Sequence, residues 1–479
     1  MLKDLNDIER FLKEREIVMV DLKYTDLFGG WHHVTLPASH ATPEVLEKGI
    51  GFDSSSIPGF KSIEAGDMCL FPDPKTAFID PFWDESTLSF ICTINEADTK
   101  KPFYRDPRSI AEKAEAYLQT TGVADRSQWG PEFEYFVFSS VNFEDETHWQ
   151  SYRLDAPEAH WNSHDIEIHG SGLTMPPKGG YHAIPPVDQY YNLRSQTVKY
   201  LQEAGVEVHY HHHEVGCPSQ QEIEVVLGPL ARMADVAMMV KYFVKMTAQE
   251  NGFSATFMPK PMYREAGSGM HFHQHLFKGD QPVFFDEKGS YANLSKVALS
   301  YIAGILQHAP ALLALTNPST NSYKRLVPGY EAPVNMFFSL ANRTAAVRVP
   351  KYANAPLDKR IEFRSPDATC NPYIAMAAIL MAGIDGIKKN LDPTELGFGP
   401  YDQNLFAPEH EDLRRQIKGL PVSLNRAFKA LEDDHDFLTA GDVFPKDIVR
   451  TWIDYKLKKE FLEVRNRPHP YEVALYYNC

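Results

Sequence analysis

Two glutamates separated by one aromatic residue constrain this chain most, because they lie in a segment that otherwise predicts a buried strand. The segment is Gly-Pro-Glu-Phe-Glu-Tyr-Phe-Val-Phe, residues 130–138. Side chains alternate across a strand, so Glu132 and Glu134 share one face while Phe133 points into a core. Neighbouring carboxylates repel each other unless a cation lies between them. The segment is therefore either a solvated strand face or one wall of a metal site.

The metal site is favoured because the same i, i+2 spacing recurs later in the chain. It recurs at Glu222 and Glu224, at His271 and His273, and at Glu362 and Arg364, and the tract 211–214 adds three histidines and Glu214 at the end of another predicted strand. A carboxylate-rich set with one or two imidazoles suits Mg²⁺ or Mn²⁺ better than structural zinc. Spacing alone does not separate Glu222 from Glu224, and one of them can be an ordinary solvated residue.

An irregular segment at residues 317–333 has the character of an active-site loop. It places Lys324, Arg325 and Glu331 among rigid Pro and Gly turns, and it is too irregular for a helix. Arg325 can hold an anion and Glu331 can meet a cation. A second loop, residues 266–270, is flanked by glycines and runs directly into a histidine strand, so its backbone can approach a ligand closely.

Five arginines lie within residues 325–364, in a chain whose net charge is −16. These arginines are Arg325, Arg343, Arg348, Arg360 and Arg364. The acidic balance argues against nucleic acid or an anionic membrane surface as a partner. Guanidinium groups near a metal-binding carboxylate set predict a bound phosphate or carboxylate. Neither a Walker A motif nor a dinucleotide fingerprint is present, so a nucleotide would bind in another way.

The 479 residues, of which 43% are hydrophobic, predict one to three domains with a large core. Residues 7–13 predict a helix. Strand-like alternation over 17–36, with a hairpin at 28–31, and over 84–95 predicts a small sheet domain at the front. A linker at 100–107 leads to a helix that Asp106 caps and Gly122 ends. Further helices are predicted at about 188–204, 230–250, 293–309, 371–389 and 423–433.

Other features bear on location and surface. The five cysteines form no CxxC pair, the N-terminus has no apolar run, and the run 374–384 is too short for a bilayer, so a cytoplasmic protein is predicted. The polar stretch 139–177 predicts an insertion or long surface loop. The apolar end, residues 472–479, predicts docking onto its own domain or a neighbouring subunit.

A last motif, Gly-Phe-Asp-Ser-Ser-Ser-Ile-Pro at residues 51–58, lies in the front domain far from the others. Together these motifs resemble type I glutamine synthetase, in order and over nearly the whole chain. The resemblance implies an α+β fold, with a β-grasp domain over residues 1–105 and a catalytic domain over 106–479 built on a curved antiparallel sheet flanked by helices. It implies ATP-dependent ligation of ammonia to glutamate through γ-glutamyl phosphate. It also implies a homododecamer of two stacked hexameric rings, with Asp53 entering the neighbour's site.

The resemblance also implies a role for each site residue. Glu134, Glu214 and Glu222 would bind one Mg²⁺ or Mn²⁺ ion, and Glu132, His271 and Glu362 a second, which favours Glu222 over Glu224. Arg325, Arg364 and Gly267 would hold glutamate, Arg343 and Arg348 the transferred phosphate, and His273 and Arg360 the nucleotide. Asp53 would take a proton from ammonium, and Glu331 would close over the site and help to bind ammonium.

Four positions depart from the family pattern. Ala266 replaces an asparagine that helps to position glutamate, Leu357 replaces a lysine near the nucleotide, and His209 replaces an acid. Phe406 stands where adenylylated members carry a tyrosine, so regulation by adenylylation at this position is not expected. Two alternatives stay open: a γ-glutamyl ligase that uses another amine, and a catalytically silent relative that serves as an assembly. Retention of Asp53, Glu331 and all six expected ligands argues against both.

Overall fold

The front of the chain forms a mixed sheet with two short helices. The computed structural model describes residues 2, 4–163, 172–330, 332–405 and 407–479. The front strands are β1 (Met19–Thr25), β2 (Trp31–Pro37), β3 (Ile50–Asp53), β4 (Asp67–Pro72), β5 (Phe78–Asp80) and β6 (Thr87–Glu96). Their order is β2-β1-β6-β4-β3, with β5 also on β6, and β1 runs parallel to β6. The predicted front strands and the hairpin are confirmed.

The second unit is built on a larger sheet. Its strands are β7 (Arg126–Phe138), β10 (Val208–His213), β11 (Gln220–Val225), β12 (Ser254–Thr256), β13 (Phe272–Lys278), β14 (Gln281–Pro282), β15 (Asn335–Leu340), β16 (Ala345–Val349) and β17 (Ile361–Phe363), while β8 (Ser140–Asp145) and β9 (Gln150–Asp155) form a separate hairpin. The order is β10-β11-β7-β13-β17-β16-β15. Among the described strands of this larger sheet, only β15 and β16 pair in parallel. The predicted α+β class is confirmed.

Helices cover the sheet and fill the core. They are α1 (Ile8–Glu14), α2 (Pro43–Lys48), α3 (Pro107–Thr120), α4 (Tyr191–Glu203), α5 (Leu230–Glu250), α6 (Lys296–Thr316), α7 (Ser322–Arg325), α8 (Pro372–Lys388), α9 (Glu411–Gln416), α10 (Leu424–Asp433), α11 (Asp436–Thr439), α12 (Ile448–Lys456), α13 (Leu462–Asn466) and α14 (Pro470–Tyr476). Every predicted helix is present. Asp106 caps α3 by accepting a hydrogen bond from the Ser109 backbone at 3.2 Å.

Three expectations need correction. The predicted helix at 293–309 continues through Pro310 to Thr316, because its apolar face stays buried beyond the proline. The stretch 139–177, predicted as an insertion or a long surface loop, begins with the β8–β9 hairpin, so it is not simply a loop, and the insertion stays a prediction. Its residues 164–171 lie outside the described chain. The segment 317–333 contains the one-turn helix α7, which carries Arg325.

Close contact between α6 and α8 depends on glycine. A Cβ on Gly304 would lie 2.2 Å from the Ala382 carbonyl oxygen, and one on Gly386 would lie 2.2 Å from the Ser300 carbonyl oxygen. These distances are far below van der Waals contact, so the two backbones can approach only where side chains are absent. The helix α6 is long and apolar enough to span a membrane, but 78% of its most apolar window is buried inside the protein.

A buried polar cluster joins the front sheet to the second unit. The Lys23 ammonium is 4% exposed and contacts the carboxylates of Asp21 and Asp80. The Tyr242 hydroxyl, from α5, donates to Asp80 at 3.0 Å, and its ring lies 5.1 Å from the Lys23 ammonium. The Asn371 amide donates to the backbone carbonyls of Asp26 and Leu27. The two units therefore share buried charge and hydrogen bonds.

The last helix, α14, is exposed. Its apolar side chains include Tyr471 (64% exposed) and Val473 (53% exposed), and Tyr477, just beyond its end, is 81% exposed. Docking of this tail onto its own domain, one of the two predicted arrangements, is therefore not found. The sequence had also not predicted the helices that follow α10.

His308 makes the packing of α6 sensitive to pH. Its two ring nitrogens lie 2.8 Å from carboxylates of Asp385 and Asp434. Burial lowers the pKa of this imidazole, but the two carboxylates outweigh it and the net pKa is raised. We expect His308→Asn to lose about 1 kcal/mol of stability near pH 6 and less near pH 9, because a raised pKa stabilises the fold only while the group stays charged.

Thermal unfolding of both proteins across this pH range measures the effect. The exposed His40 provides a matched control, and His40→Asn should leave the pH profile unchanged. A gap between wild type and His308→Asn that widened as pH rose would contradict the assignment.

Candidate active site

Strand register assembles the predicted carboxylates into rows across the large sheet. Glu222 on β11 lies directly opposite Glu134 on β7, and Glu224 lies opposite Glu132. On the next strand out, His212 pairs with Glu222. Like charges directly opposite each other destabilise a sheet, so this register needs a compensating cation.

A further row continues on the other side of β7. His273 on β13 lies opposite Glu362 on β17, which lies opposite Arg348 on β16. The alternation within each strand was visible in the sequence, whereas the pairing between strands was not.

One half of the carboxylate set is compensated by hydrogen-bond donors of the protein itself, imidazoles at Glu132 and guanidinium groups at Glu362. Glu132 receives His271 Nδ1 at 2.9 Å and His273 Nε2 at 2.7 Å. Glu362 receives Arg364 Nη1 at 2.5 Å and the Arg348 Nε–H on its other oxygen. Burial alone would raise both pKa values, but the imidazoles hold the pKa of Glu132 well below its usual range. The arginines likewise lower the pKa of Glu362 to about 2, so both groups are ionised.

The other half lacks such compensation. Burial and the neighbouring carboxylates raise the pKa of Glu222, which faces Glu132 and Glu134. Burial, Glu222 and Glu134 likewise raise the pKa of Glu214. Ligand atoms of His212, Glu214 and Glu222 lie within 4.8 Å of one another, as do those of Glu132, His273 and Glu362. The uncompensated carboxylates are the part of the site best suited to an external divalent cation.

Most of these groups, together with four of the five predicted arginines, line a cavity of about 770 Å³, although the predicted ligand Glu362 does not line it. Among the predicted site residues, those on its wall are Glu132, Glu134, Glu214, Glu222, His271, Gly267, Arg325, Arg343, Arg348 and Arg364. The volume and the mixture of carboxylates with guanidinium groups suit small polar substrates. Ala266, at the family's asparagine position, also lines this cavity.

Arg325 is held at the cavity wall by its own backbone surroundings. Its Nη1 donates to the carbonyl oxygens of Ser365 and Pro366, and its Nη2 donates to the Arg364 carbonyl and to His271 Nε2. Because a guanidinium can only donate, His271 Nε2 must accept, and its Nδ1–H then donates to Glu132. Arg325 therefore fixes the tautomer of the neighbouring imidazole in this conformation.

His273 and Arg360 do not line this cavity, and Arg360 borders a second one. Arg360 Nε donates to His273 Nδ1 at 3.3 Å, and His273 Nε2 contacts Glu132. Arg360 lines a smaller cavity of about 290 Å³ together with Asp358 and Glu224. A chain of contacts thus connects the second cavity to the carboxylate cluster.

Asp53, one of the predicted catalytic residues, does not line the cavity. Asp53 ends β3 in the front sheet, is exposed, and accepts a hydrogen bond from the Ser55 backbone at 2.8 Å. That hydrogen bond lowers the pKa of its carboxyl. Glu331 and Phe406 lie outside the described residues, so the expectations that rest on them stay predictions.

The sequence missed several residues of the site. His212 faces Glu222 at 3.5 Å, and Tyr210 and Tyr352 line the cavity walls. The suggestion that Glu222 or Glu224 is solvated was wrong, because Glu222 is 7% exposed and Glu224 is 3% exposed. Only the histidine tract gave a signal for His212, and nothing in the local pattern marked the tyrosines.

Comparison with known proteins agrees with this geometry. The profile of the glutamine synthetase catalytic domain matches residues 104–476, and that of the glutamine synthetase beta-Grasp domain matches residues 16–97. The chain belongs to the glutamine synthetase family. Family membership makes it an ATP-dependent ligase that forms glutamine from glutamate and ammonia. The sequence-based prediction of family and activity is confirmed.

Individual relatives extend the likeness over the whole chain. Glutamine synthetase of Mycolicibacterium smegmatis is 46% identical over 99% of both chains, and that of Frankia alni is 44% identical over 100% of both. The structure of the Plasmodium falciparum glutamine synthetase superposes with a TM-score of 0.89 at 28% identity, covering 99% of both chains. A chain described as GmaS in complex with ADP superposes with a TM-score of 0.81 at 25% identity, covering 99% of this chain and 100% of that one.

The uncompensated carboxylates predict a stability cost in metal-free protein. A raised folded-state pKa makes ionisation of Glu222 destabilising above its ordinary pKa, and glutamine mimics the protonated form. We therefore expect Glu222→Gln to stabilise the chelator-treated protein by roughly 1 kcal/mol near pH 8. The gain should vanish near pH 4.

Thermal unfolding in the presence of a chelator measures this difference. Glu47→Gln, at an exposed glutamate of α2, controls for the loss of one negative charge. Lower stability of Glu222→Gln near pH 8 would show that the ionised carboxylate makes net favourable contacts.

Proposed function

We propose that the large cavity binds glutamate, ammonium and the phosphates of ATP, and that the ligase reaction there passes through γ-glutamyl phosphate. The observation that carries the proposal is the register that sets Glu222 against Glu134 beside a wall of arginines. Such a cavity combines groups that neutralise phosphate oxygens with groups that bind carboxylates.

Divalent cations fit the carboxylate set. Glu134, Glu214 and Glu222 would hold one ion, and Glu132, His271 and Glu362 a second. The crowding of buried carboxylates supports this fit, as does the 3.5 Å distance between His271 Nδ1 and Glu362. Two Mg²⁺ or Mn²⁺ ions would neutralise charge on the phosphate oxygens during transfer.

The arginines would divide the substrates between them. Arg325 and Arg364, with the Gly267 backbone, would bind the glutamate carboxylates, and Arg343 and Arg348 would bind the transferred phosphate. His273 and Arg360 would contact the nucleotide in the second cavity. This division is supported by the positions of the arginines on the two cavity walls.

Ammonia would be generated by a carboxylate from a second subunit. The exposed Asp53 carboxylate would bind ammonium and accept its proton, leaving NH₃ with a free electron pair. Ammonia would then attack the γ-carbonyl carbon and inorganic phosphate would leave. Glu331 would close over the cavity and shield the acyl phosphate from water. The exposure of Asp53 in the single chain supports a role between subunits.

A homododecamer of two stacked hexameric rings is proposed as the working assembly. Its support within this chain is the exposed Asp53 and the exposed apolar side chains of α14. Exposed apolar surface of this kind commonly marks a contact between subunits. The units 1–105 and 106–479 would then contribute to different active sites, and a cytoplasmic location remains a prediction from the sequence.

Phosphate release by the purified protein tests the substrates. With ATP, Mg²⁺ and glutamate, we expect release to depend on ammonium and to match the glutamine formed. Arg325→Ala should reduce turnover by about 100-fold or more, because an interaction with a bound anion is lost at the reacting centre. Tyr263→Ala, at an exposed residue outside both cavities, is the matched control.

The amine is identified in the same assay. Faster release with methylamine or another primary amine than with ammonium would transfer the proposal to that amine. Absence of release with every amine, in protein of dodecameric mass, would favour a catalytically silent assembly.

A mixing experiment tests whether the active site is shared. Asp53→Ala and Arg325→Ala should each be inactive alone, because each lacks one half of every site. In oligomers assembled from equal amounts of both, about one quarter of the interfaces would pair two intact halves, so activity should return. Size-exclusion chromatography of differently tagged chains confirms mixing. No recovery in verified mixed oligomers would mean that Asp53 and Arg325 act within one chain or not at all.

A further inference from the structure

Tyr352 occupies a position that the proposed roles do not explain. It follows β16 on the connection to β17, and its side chain lines both the large and the small cavity. The residue is 62% exposed although it lies between two buried strands. A ligand that extends from one cavity to the other must therefore pass this ring.

Two guanidinium groups lie close to the same ring. The Arg360 guanidinium lies 5.4 Å from the ring centroid, and the Arg348 guanidinium lies 6.0 Å from it. These distances fall in the range of cation–π attraction, which favours a defined orientation of ring and cation. Arg348 also contacts Glu362, and Arg360 also contacts His273. The ring is thus tied to the ion-pair network of the carboxylate cluster.

The small cavity has the chemistry of a slot for a flat, donor-bearing group. Its remaining wall includes Val225, Leu227 and Ala353, which are apolar, and the carboxylates of Glu224 and Asp358. The Oε2 atom of Glu224 is buried and has no hydrogen-bond partner among the described residues. A buried acceptor without a partner suits hydroxyl or amino donors from a ligand. An aromatic ring beside aliphatic side chains suits a planar base.

We propose that Tyr352 is a nucleotide-positioning residue, whose ring contacts the base or ribose of ATP in the small cavity while the phosphates extend into the large one. The inference rests on the proposed assignment of the small cavity to the nucleotide. It predicts discrimination between a nucleoside triphosphate and inorganic triphosphate, because only the nucleoside part touches the ring.

The test compares nucleotide binding by wild type, Tyr352→Ala, Tyr352→Phe and Tyr352→Trp. We expect Tyr352→Ala to weaken ADP binding and raise the KM for ATP about tenfold, while the KM for glutamate changes less than about twofold. Tyr352→Phe should remain close to wild type, because it keeps the ring. Binding of inorganic triphosphate should be equal in all variants. Addition of ADP should change the fluorescence of Tyr352→Trp. Tyr263→Ala again controls for removal of an exposed ring beside an arginine.

Each contrary result has a separate meaning. If wild type bound no ADP, the nucleotide site itself would be wrong and the inference would fail with it. If wild type bound ADP and Tyr352→Ala bound it equally well, only the role of Tyr352 would be overturned. Equal rises in the KM values of ATP and glutamate, or equal weakening of triphosphate, would assign the ring to holding the arginines in place, which also overturns the proposal.

Discussion

The repulsion between buried carboxylates on one sheet face is the constraint on which the rest of the structure depends. Glu132, Glu134, Glu222 and Glu224 meet because β7 and β11 pair in one register. A slip of one residue would turn one set of carboxylates into the core on the other face, so the register itself is strongly specified. Imidazoles and arginines then stabilise part of this charge by hydrogen bonds and ion pairs, and the remaining carboxylates favour the binding of cations. The helices, the loops and the second cavity surround this group of carboxylates.

Some carboxylates of the site have compensating partners in the protein and others do not, and this difference is useful for binding cations. Glu132 already accepts hydrogen bonds from two imidazoles, and Glu362 from two arginines, so their geometry is fixed before anything binds. Glu214 and Glu222 are held close together without such partners, and their pKa values are raised. In a site of this type, one half contains unfavourable repulsion between carboxylates, and the other half is rigid. Binding of a cation would relieve the repulsion, while the rigid half keeps the ligands in place.

Much of the site could be predicted because the period of a strand determines which side chains share a face. Glu132 with Glu134 and His271 with His273 are visible in this way, and the family resemblance implies the roles proposed for them. Pairing between strands is a long-range property that no local pattern contains, so the proximity of His212 to Glu222 was missed. The burial of Glu224 and the place of Tyr352 between two cavities depend on tertiary packing. The late helices were missed because their short segments carry weak periodicity.

The polar cluster around Lys23 has a consequence for the independence of the two units. The sequence predicts a domain boundary near residue 105, and the two family profiles match residues 16–97 and 104–476. Yet separation would leave the Lys23 trio without the Tyr242 ring and hydroxyl, and would remove the Asn371 donor from two front carbonyl groups. Fragments expressed alone would expose these polar groups without their partners, on surfaces prone to aggregation. Exchange of front domains between related enzymes would therefore succeed only when the residues on both sides of this contact are exchanged together.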